Sequence, residues 1–591
     1  MNILGISCYY HDAAAALLQD GMLIAAAAEE RFSRIKHDSE FPRLAINFCL
    51  EQAGITRADL DYVVFYEKPF RKFDRILHSS LSGFPRSLSL FRESMLTWFS
   101  SKLWIKGRLL DELRIAPDKL LFSEHHLSHA ASTFFASPFN EAAILTVDGV
   151  GEWATATTGT GCGAEIHIDH ELRWPHSLGM LYSTFTAFLG FEVNEGEYKV
   201  MGMAPYGEPR YVDKVWRLLR VSDNGAIELD LDYFSFQYSH KRAFSKKFLT
   251  LFGEQRLPNS HFFTQTTGYP GYFGARPSDF DVQAKRNKDY ADIAASVQRV
   301  TEEVLLKMVN GLCRRTGLTR LCIAGGVGLN SVANGRLLRE TPVEELFVQP
   351  AAGDDGGALG AALYAWHCIL GRPRGFLMKH AYWGQDYNEA EIAKTLAENN
   401  CSAELLKDDA SVIERAREDL VAGRVIGWYQ GRFEWGPRAL GNRSILADPR
   451  REEMKDIVNT KIKFREPFRP FAPSVLAEAA GDYFDPKITG QPAAKFMLCV
   501  SKLRESRRDQ IPAVAHVDGS ARPQVVERED NPRYYALIES FGKATGVPVL
   551  LNTSFNLRGE PIVSTPAQAL ATFARSEMDA LYMDRYVVRK S

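Results

Sequence analysis

Short apolar runs that break into Gly- or Asp-bearing turns constrain this chain most. Asn2–Ser7 runs into Cys8-Tyr9-Tyr10-His11-Asp12, Ala142–Val147 into Asp148-Gly149, and Arg320–Ala324 into Gly325-Gly326-Val327-Gly328. Runs of four to eight apolar residues bounded by turn residues read as buried strands. Helical periodicity fills the spaces between them. Pro42–Ala53 repeats at helical spacing and stops at Gly54, and Tyr62–Phe65 is a further β-branched run. Ala13–Leu18 and Met22–Ala28 form a strand pair turning at Asp20-Gly21. The alternation predicts an α/β fold on mixed sheets.

At 591 residues the chain exceeds one core. Residues 371–375, Gly-Arg-Pro-Arg-Gly, read as a linker. They divide residues 1–375 from 376–591, where helices Glu389–Asn399 and Ser411–Ala422 and strands Val425–Trp428 and Val547–Leu551 announce a second α/β unit. About 205–285 is rich in aromatics, Gly and Pro without periodicity, and reads as an insertion or lid. The net charge of −2 and the absence of a basic stripe argue against a nucleic-acid partner. No long apolar run suggests a membrane span, and the opening residues read as strand and turn. Eight scattered cysteines without a CxxC pair argue for reduced thiols and a cytoplasmic setting.

Four constellations carry chemistry. His125 and His129, at i and i+4, project from one face of a helix, and Asp148 and Asp354 follow strands. Two imidazoles and two carboxylates suit Fe(II), Zn or Mn better than Ca. Gly325-Gly326-Val327-Gly328-Leu329-Asn330, then Asn334, form a Gly-rich turn able to approach a phosphate. Arg438, Arg465, Arg469 and Arg522 sit among Gly, Pro and aromatics rather than on amphipathic helices. That favours an anion pocket, to which Asn552 would add an amide donor. His11 lies in the turn after the first strand; position alone leaves it equally a structural histidine or a base for a bound alcohol.

The segments YYHDAAAAL, HHLSHAAS, VDGVGEW, AGGVGLNSVANG, GRFEWGPRALGNRS and LNTSFNLRGEPIV, in this order, resemble the NodU/CmcH family of O-carbamoyltransferases. The resemblance covers nearly the whole chain, apart from about 205–285 and Phe70–Arg108. It implies an actin-like, duplicated ATP-binding domain, as in tRNA threonylcarbamoyl-transferring proteins, and a YrdC-like domain behind it. It implies that carbamoyl phosphate and ATP give carbamoyl-adenylate with release of pyrophosphate. The carbamoyl group then passes to a hydroxyl of a small-molecule, natural-product acceptor. On this basis His125, His129, Asp148 and Asp354 hold a divalent metal, Fe(II) first, with Zn, Mn or Mg as alternatives. Gly149, Lys199, Gly325, Gly326, Asn330 and Asn334 would contact the nucleotide. Arg438, Arg469, Arg522 and Asn552 would bind carbamoyl phosphate and adenylate, and His11 would be the general base. A tRNA threonylcarbamoyl-transfer enzyme and a sugar kinase of actin-like fold are the alternatives. The first lacks a basic surface, and the second would need an Asp-Gly-Thr-type turn after the first strand.

Overall fold

A computed structural model describes residues 1–239 and 241–590. The first sheet contains β1 (Asn2–Ser7), β2 (Ala14–Gln19), β3 (Met22–Ala28), β4 (Tyr62–Phe65) and β5 (Leu120–Phe122), in the order β3-β2-β1-β4-β5. The chain continues through β6 (Glu141–Val147), β7 (Ala154–Cys162) and β8 (Glu165–Arg173). After a small hairpin of β9 (Leu219–Val221) and β10 (Ile227–Leu229) it adds β11 (Arg320–Ala324) and β12 (Glu345–Val348). The second large sheet reads β8-β7-β6-β11-β12. Both sheets pair their first three strands antiparallel and add the last two parallel to the first. One strand plan is therefore used twice, the duplication expected for the front half.

The repeats differ in what they insert. Between β4 and β5 lie helices Pro69–Ser82, Leu88–Ser100 and Ile105–Leu113. Between β8 and β11 lies the aromatic stretch of the sequence. Its rings are packed: Phe248 meets Phe185, Phe188 and Phe252 at centroid distances of 5.1, 5.3 and 4.7 Å. The helix Phe280–Thr316 then crosses the domain with a largely buried face.

The rear half holds an eight-stranded mixed sheet, with Ile426–Tyr429, Arg443–Ala447, Val549–Ser554 and Ala472–Leu476 at its middle. Alternate residues feed the apolar layers on either face. Ile445 and Ala447 enter one, Leu446 the other. The two halves share a core, because Phe433, Trp435, Phe468 and Phe496 pack into the front cluster. Residues 371–388 carry no helix or strand. Arg374 straps this stretch down by donating to the carbonyls of Phe139, Phe134 and Ser137 at 2.5, 3.0 and 2.9 Å. Gly436 (φ +98°) meets the front half so closely that a Cβ there would lie 2.6 Å from the Pro350 carbonyl oxygen.

Candidate active site

Helix His125–Phe134 begins just after β5 and presents His125 and His129 on the face turned towards the end of β6. Their Nε2 atoms are 3.1 Å apart. Asp148 Oδ2 lies 3.1 and 3.2 Å from them, and Asp354 Oδ1 3.6 and 3.7 Å. The other Asp148 oxygen accepts from the backbone N–H of Gly149 and Gly326, at 2.8 and 3.2 Å, so both Gly-rich turns fix this carboxylate. Gly325 (φ +92°) is needed where it stands, since a Cβ would lie 2.3 Å from the Val147 carbonyl oxygen. The structure brings Asp354, not Asp355, into the cluster.

Four donor atoms converge within 4.8 Å of one another, and both histidines are buried. Burial pushes the Asp148 carboxyl up, but the bonded imidazoles outweigh it and hold the group well below the carboxylate range. Two imidazole nitrogens and two carboxylate oxygens here converge on one point. The donor set therefore fits a divalent cation. Behind it, the buried Glu67 carboxylate reaches within 3.6 Å of His125 Nδ1 and accepts from Lys72 Nζ at 2.8 Å, an outer partner of the kind that orients a liganding imidazole. His126, the third histidine of the segment, is structural. It bonds Thr146 Oγ1 and the Ala154 carbonyl at 2.6 and 2.9 Å, and burial beside the other imidazoles pushes its pKa down to about 3.

The turn after β1 carries His11. Tyr9 is held at φ +75°, a strained conformation for a bulky residue. Asp12 bridges two imidazoles, with Oδ2 2.7 Å from His11 Nδ1 and Oδ1 2.7 Å from His37 Nδ1. Burial alone would lower the His11 pKa. The bond to Asp12, followed by the charges of Asp12, Asp354 and Asp148, raises it to about 9. His11 thus feels the carboxylates of the metal-type cluster across the site. His37 lies on a different segment, so nothing local to His11 marks it as a partner.

A second cluster of opposite sign sits where the halves meet. Arg438, Arg465, Arg469, Arg522 and Lys463 repel one another electrostatically. Burial and then its guanidinium neighbours push Arg522 well below the usual arginine value, and burial followed by Arg469 takes Arg465 to about 9. The nearby carboxylate is Glu466, 3.5 Å from Arg469 Nη1. The front half supplies Tyr198, whose hydroxyl accepts from Arg469 at 3.1 Å, and Tyr272, which donates to the Arg465 carbonyl at 2.9 Å. Tyr272 belongs to the aromatic stretch read as a lid. Lys463 was not singled out in the sequence. Its buried Nζ donates to the Ser554 carbonyl and to the Asn556 carbonyl and Oδ1, the last two at 3.0 and 2.8 Å. A cavity of about 1160 Å³ lies elsewhere, between His380–Glu389 and Arg533, and is lined by none of these residues.

Four residues named from the sequence have partners within the protein. Asn334 spends its amide on the Gly328 and Leu498 carbonyls, at 2.8 and 2.9 Å, joining the halves rather than facing a ligand. Asn330 caps the helix Ser331–Glu340 and exchanges hydrogen bonds with Gln298. Lys199 lies close enough to Glu466 to help lower its pKa, which places it with the arginine cluster. Asn552 cannot add a donor, because its Nδ2 is committed to Ala439, Ser474 and Gln524. Its buried Oδ1 is the free atom.

Residues 2–363 match the family model "Carbamoyltransferase N-terminus" and residues 417–590 match "Carbamoyltransferase C-terminus". The chain belongs to the carbamoyltransferase family. It is 46% identical to the uncharacterized protein sll1178 of Synechocystis sp. over 100% of this chain and 97% of that one. It is 37% identical to nodulation protein NolNO of Sinorhizobium fredii over 98% of this chain and 79% of the relative. Among solved structures, HypF of T. kodakarensis aligns with a TM-score of 0.31 and 14% identity over 63% of this chain and 48% of its own. A carbamoyltransferase must hold an anionic carbamoyl donor and bring an acceptor to it. This carbamoyltransferase carries a cation-rich cluster where its halves meet and a His/Asp cluster within the front half.

Proposed function

We propose that the protein is an ATP-dependent O-carbamoyltransferase acting on a small-molecule hydroxyl. The observation that carries this reading is the cluster Arg438, Arg465, Arg469, Arg522 and Lys463, five cations in one another's field with little carboxylate to neutralise them. Such a site is unstable without an anion, and forked guanidinium groups suit phosphate. Here carbamoyl phosphate would lose phosphate to water. The resulting carbamate would attack the α-phosphorus of ATP, and pyrophosphate would leave. Asn552 Oδ1 would accept from the carbamoyl NH2, a role for an acceptor rather than a donor.

In the front half His125, His129, Asp148 and Asp354 would hold a divalent cation, which when bound supplies positive charge to the nucleotide phosphates. The N–H groups at Gly149, Gly325 and Gly326 belong to the turns that would meet those phosphates. His11 Nδ1 is occupied by Asp12, leaving Nε2 to take the proton from the acceptor hydroxyl. The alkoxide carbon–oxygen bond forms as AMP leaves. The mixed anhydride is already activated, so no covalent enzyme intermediate is required.

The test is carbamoyl-phosphate-dependent exchange of labelled pyrophosphate into ATP by the intact chain. Exchange, with AMP as the nucleotide product once an acceptor is supplied, supports the reading. ADP as the product overturns it in favour of a kinase.

A further inference from the structure

The helices between β4 and β5 leave an apolar surface uncovered. Pro69–Ser82 and Leu88–Ser100 form a hairpin, and at its tip Leu81, Phe84 and Leu88 are 59%, 66% and 57% exposed. The surface continues along the second helix. Leu88, Arg92, Leu96 and Phe99 fall on one side at helical spacing, and Leu96 and Phe99 are 63% and 60% exposed. Trp104 follows at 63%. Single exposed apolar residues are ordinary, but a run on one hairpin marks a binding surface.

The polar residues indicate what covers it. From Arg71 to Arg108 the segment carries eight Lys and Arg against two acids, Asp74 and Glu93, in a chain whose net charge is −2. Four of the cations turn inward onto aromatic rings. Lys72 and Lys102 lie 3.3 and 4.2 Å from the Tyr10 ring, Arg75 5.2 Å from Trp174, and Arg108 4.4 Å from Tyr9. Lys72, Lys102 and Arg108 anchor the segment's inner side to the turn that carries His11. Arg86, Arg92 and Lys106 are exposed beside the exposed Leu, Phe and Trp, with Arg86 also 6.0 Å from the Tyr238 ring. Apolar and aromatic side chains at a tip, rimmed by arginine and lysine, match the headgroup boundary of an anionic bilayer. Among the described residues no helix is long and apolar enough to cross a membrane, so the contact is peripheral.

We propose that this hairpin docks the enzyme on an anionic membrane surface, Leu81, Phe84 and Leu88 entering the interface and Arg86, Arg92 and Lys106 meeting the headgroups. The inference is independent of the chemistry proposed above. The test is flotation of the full chain with phosphatidylcholine vesicles containing about a third phosphatidylglycerol, against vesicles of phosphatidylcholine alone. The wild type is expected to float with the anionic vesicles. The L81D/F84D/L88D variant should lose about tenfold or more of its partitioning, while its circular dichroism and pyrophosphate exchange are unchanged. Charge reversal at Arg86 and Arg92 should weaken binding and abolish its salt dependence. Failure of the wild type to float at low salt, or undiminished flotation of the triple variant, overturns the proposal. So does a wild-type dimer in sedimentation that the triple substitution dissociates without any vesicle binding, which would assign the face to a second copy of the chain.

Discussion

The two charged clusters are near mirror images in electrostatics and differ in how they are built. The front cluster gathers anionic and neutral donors, with His125 and His129 from one helix, Asp148 from the loop after β6 and Asp354 from the first residue of the helix Asp354–Tyr364. The rear cluster gathers cations, Arg438, Arg465, Arg469 and Arg522, from separate loops of the second domain. The rear cluster keeps like charges together in burial, which costs free energy unless an anion arrives, whereas the front cluster converges four ligand-type atoms on one point. The front site is therefore suited to a cation and the rear site to an anion. A two-stage transferase needs this separation of acceptor chemistry from donor activation.

The comparison breaks first if the clusters are not functionally separable. The double substitution H125A/H129A is expected to reduce acceptor carbamoylation to background and to remove bound metal, measured by elemental analysis, while pyrophosphate exchange persists. Chelation of the metal should do the same to the wild type. Arg522→Ala should do the reverse, lowering exchange by about 10²–10³-fold, the usual cost of removing one charge-stabilising donor. If the histidine variant also loses exchange, or if Arg522→Ala cannot use supplied carbamoyl-adenylate, in a folded protein, the division of labour is wrong.

The next largest effect sharpens the front half of the comparison. His11→Asn should lower transfer roughly 10²–10⁴-fold, the usual contribution of a general base, and leave exchange intact. Its pH dependence follows from Asp12. The neutral imidazole is the active base and its pKa is raised to about 9, so transfer should climb as pH rises towards 9. Asp12→Asn removes the main raising influence, and the midpoint of the profile should move to lower pH. The stability linkage has the opposite sense. The pairing of His11 with Asp12 stabilises the fold fully below about 6.5 and is lost as pH rises through about 9. Chemical denaturation across that window would show a decline in the wild type that is smaller in D12N.

Legibility of these features followed whether they were local. The strands around Asp148 and Gly325 were readable because each is an uninterrupted apolar run closed by residues only a tight turn favours. The ligand pair was readable because i, i+4 on a helix fixes two side chains to one face. Arginines among Gly and Pro signalled an anion site without showing its walls. The internal partners of Asn334 and Asn552 were not readable for the same reason. An asparagine at a loop end is equally able to bind a ligand or to satisfy backbone carbonyls, and only tertiary packing decides between them. Lys463 and His37 were invisible because their partners lie on other segments, and Glu67 because nothing local marks a carboxylate as buried.

The smallest expected effect tests the seam between the clusters. Asn334 lies in the helix following the Gly-rich turn of the front site, and its amide donates to Gly328 within that turn and to Leu498 across the interface. Truncation to Ala leaves two buried carbonyls without this donor, a loss of about 1–3 kcal/mol in urea unfolding. Because the bond to Leu498 is shared by both halves, the cost should fall on one cooperative transition. If N334A instead splits unfolding into two transitions, the apolar contacts of Phe433, Trp435 and Phe468 with the front core are too weak to hold the halves together.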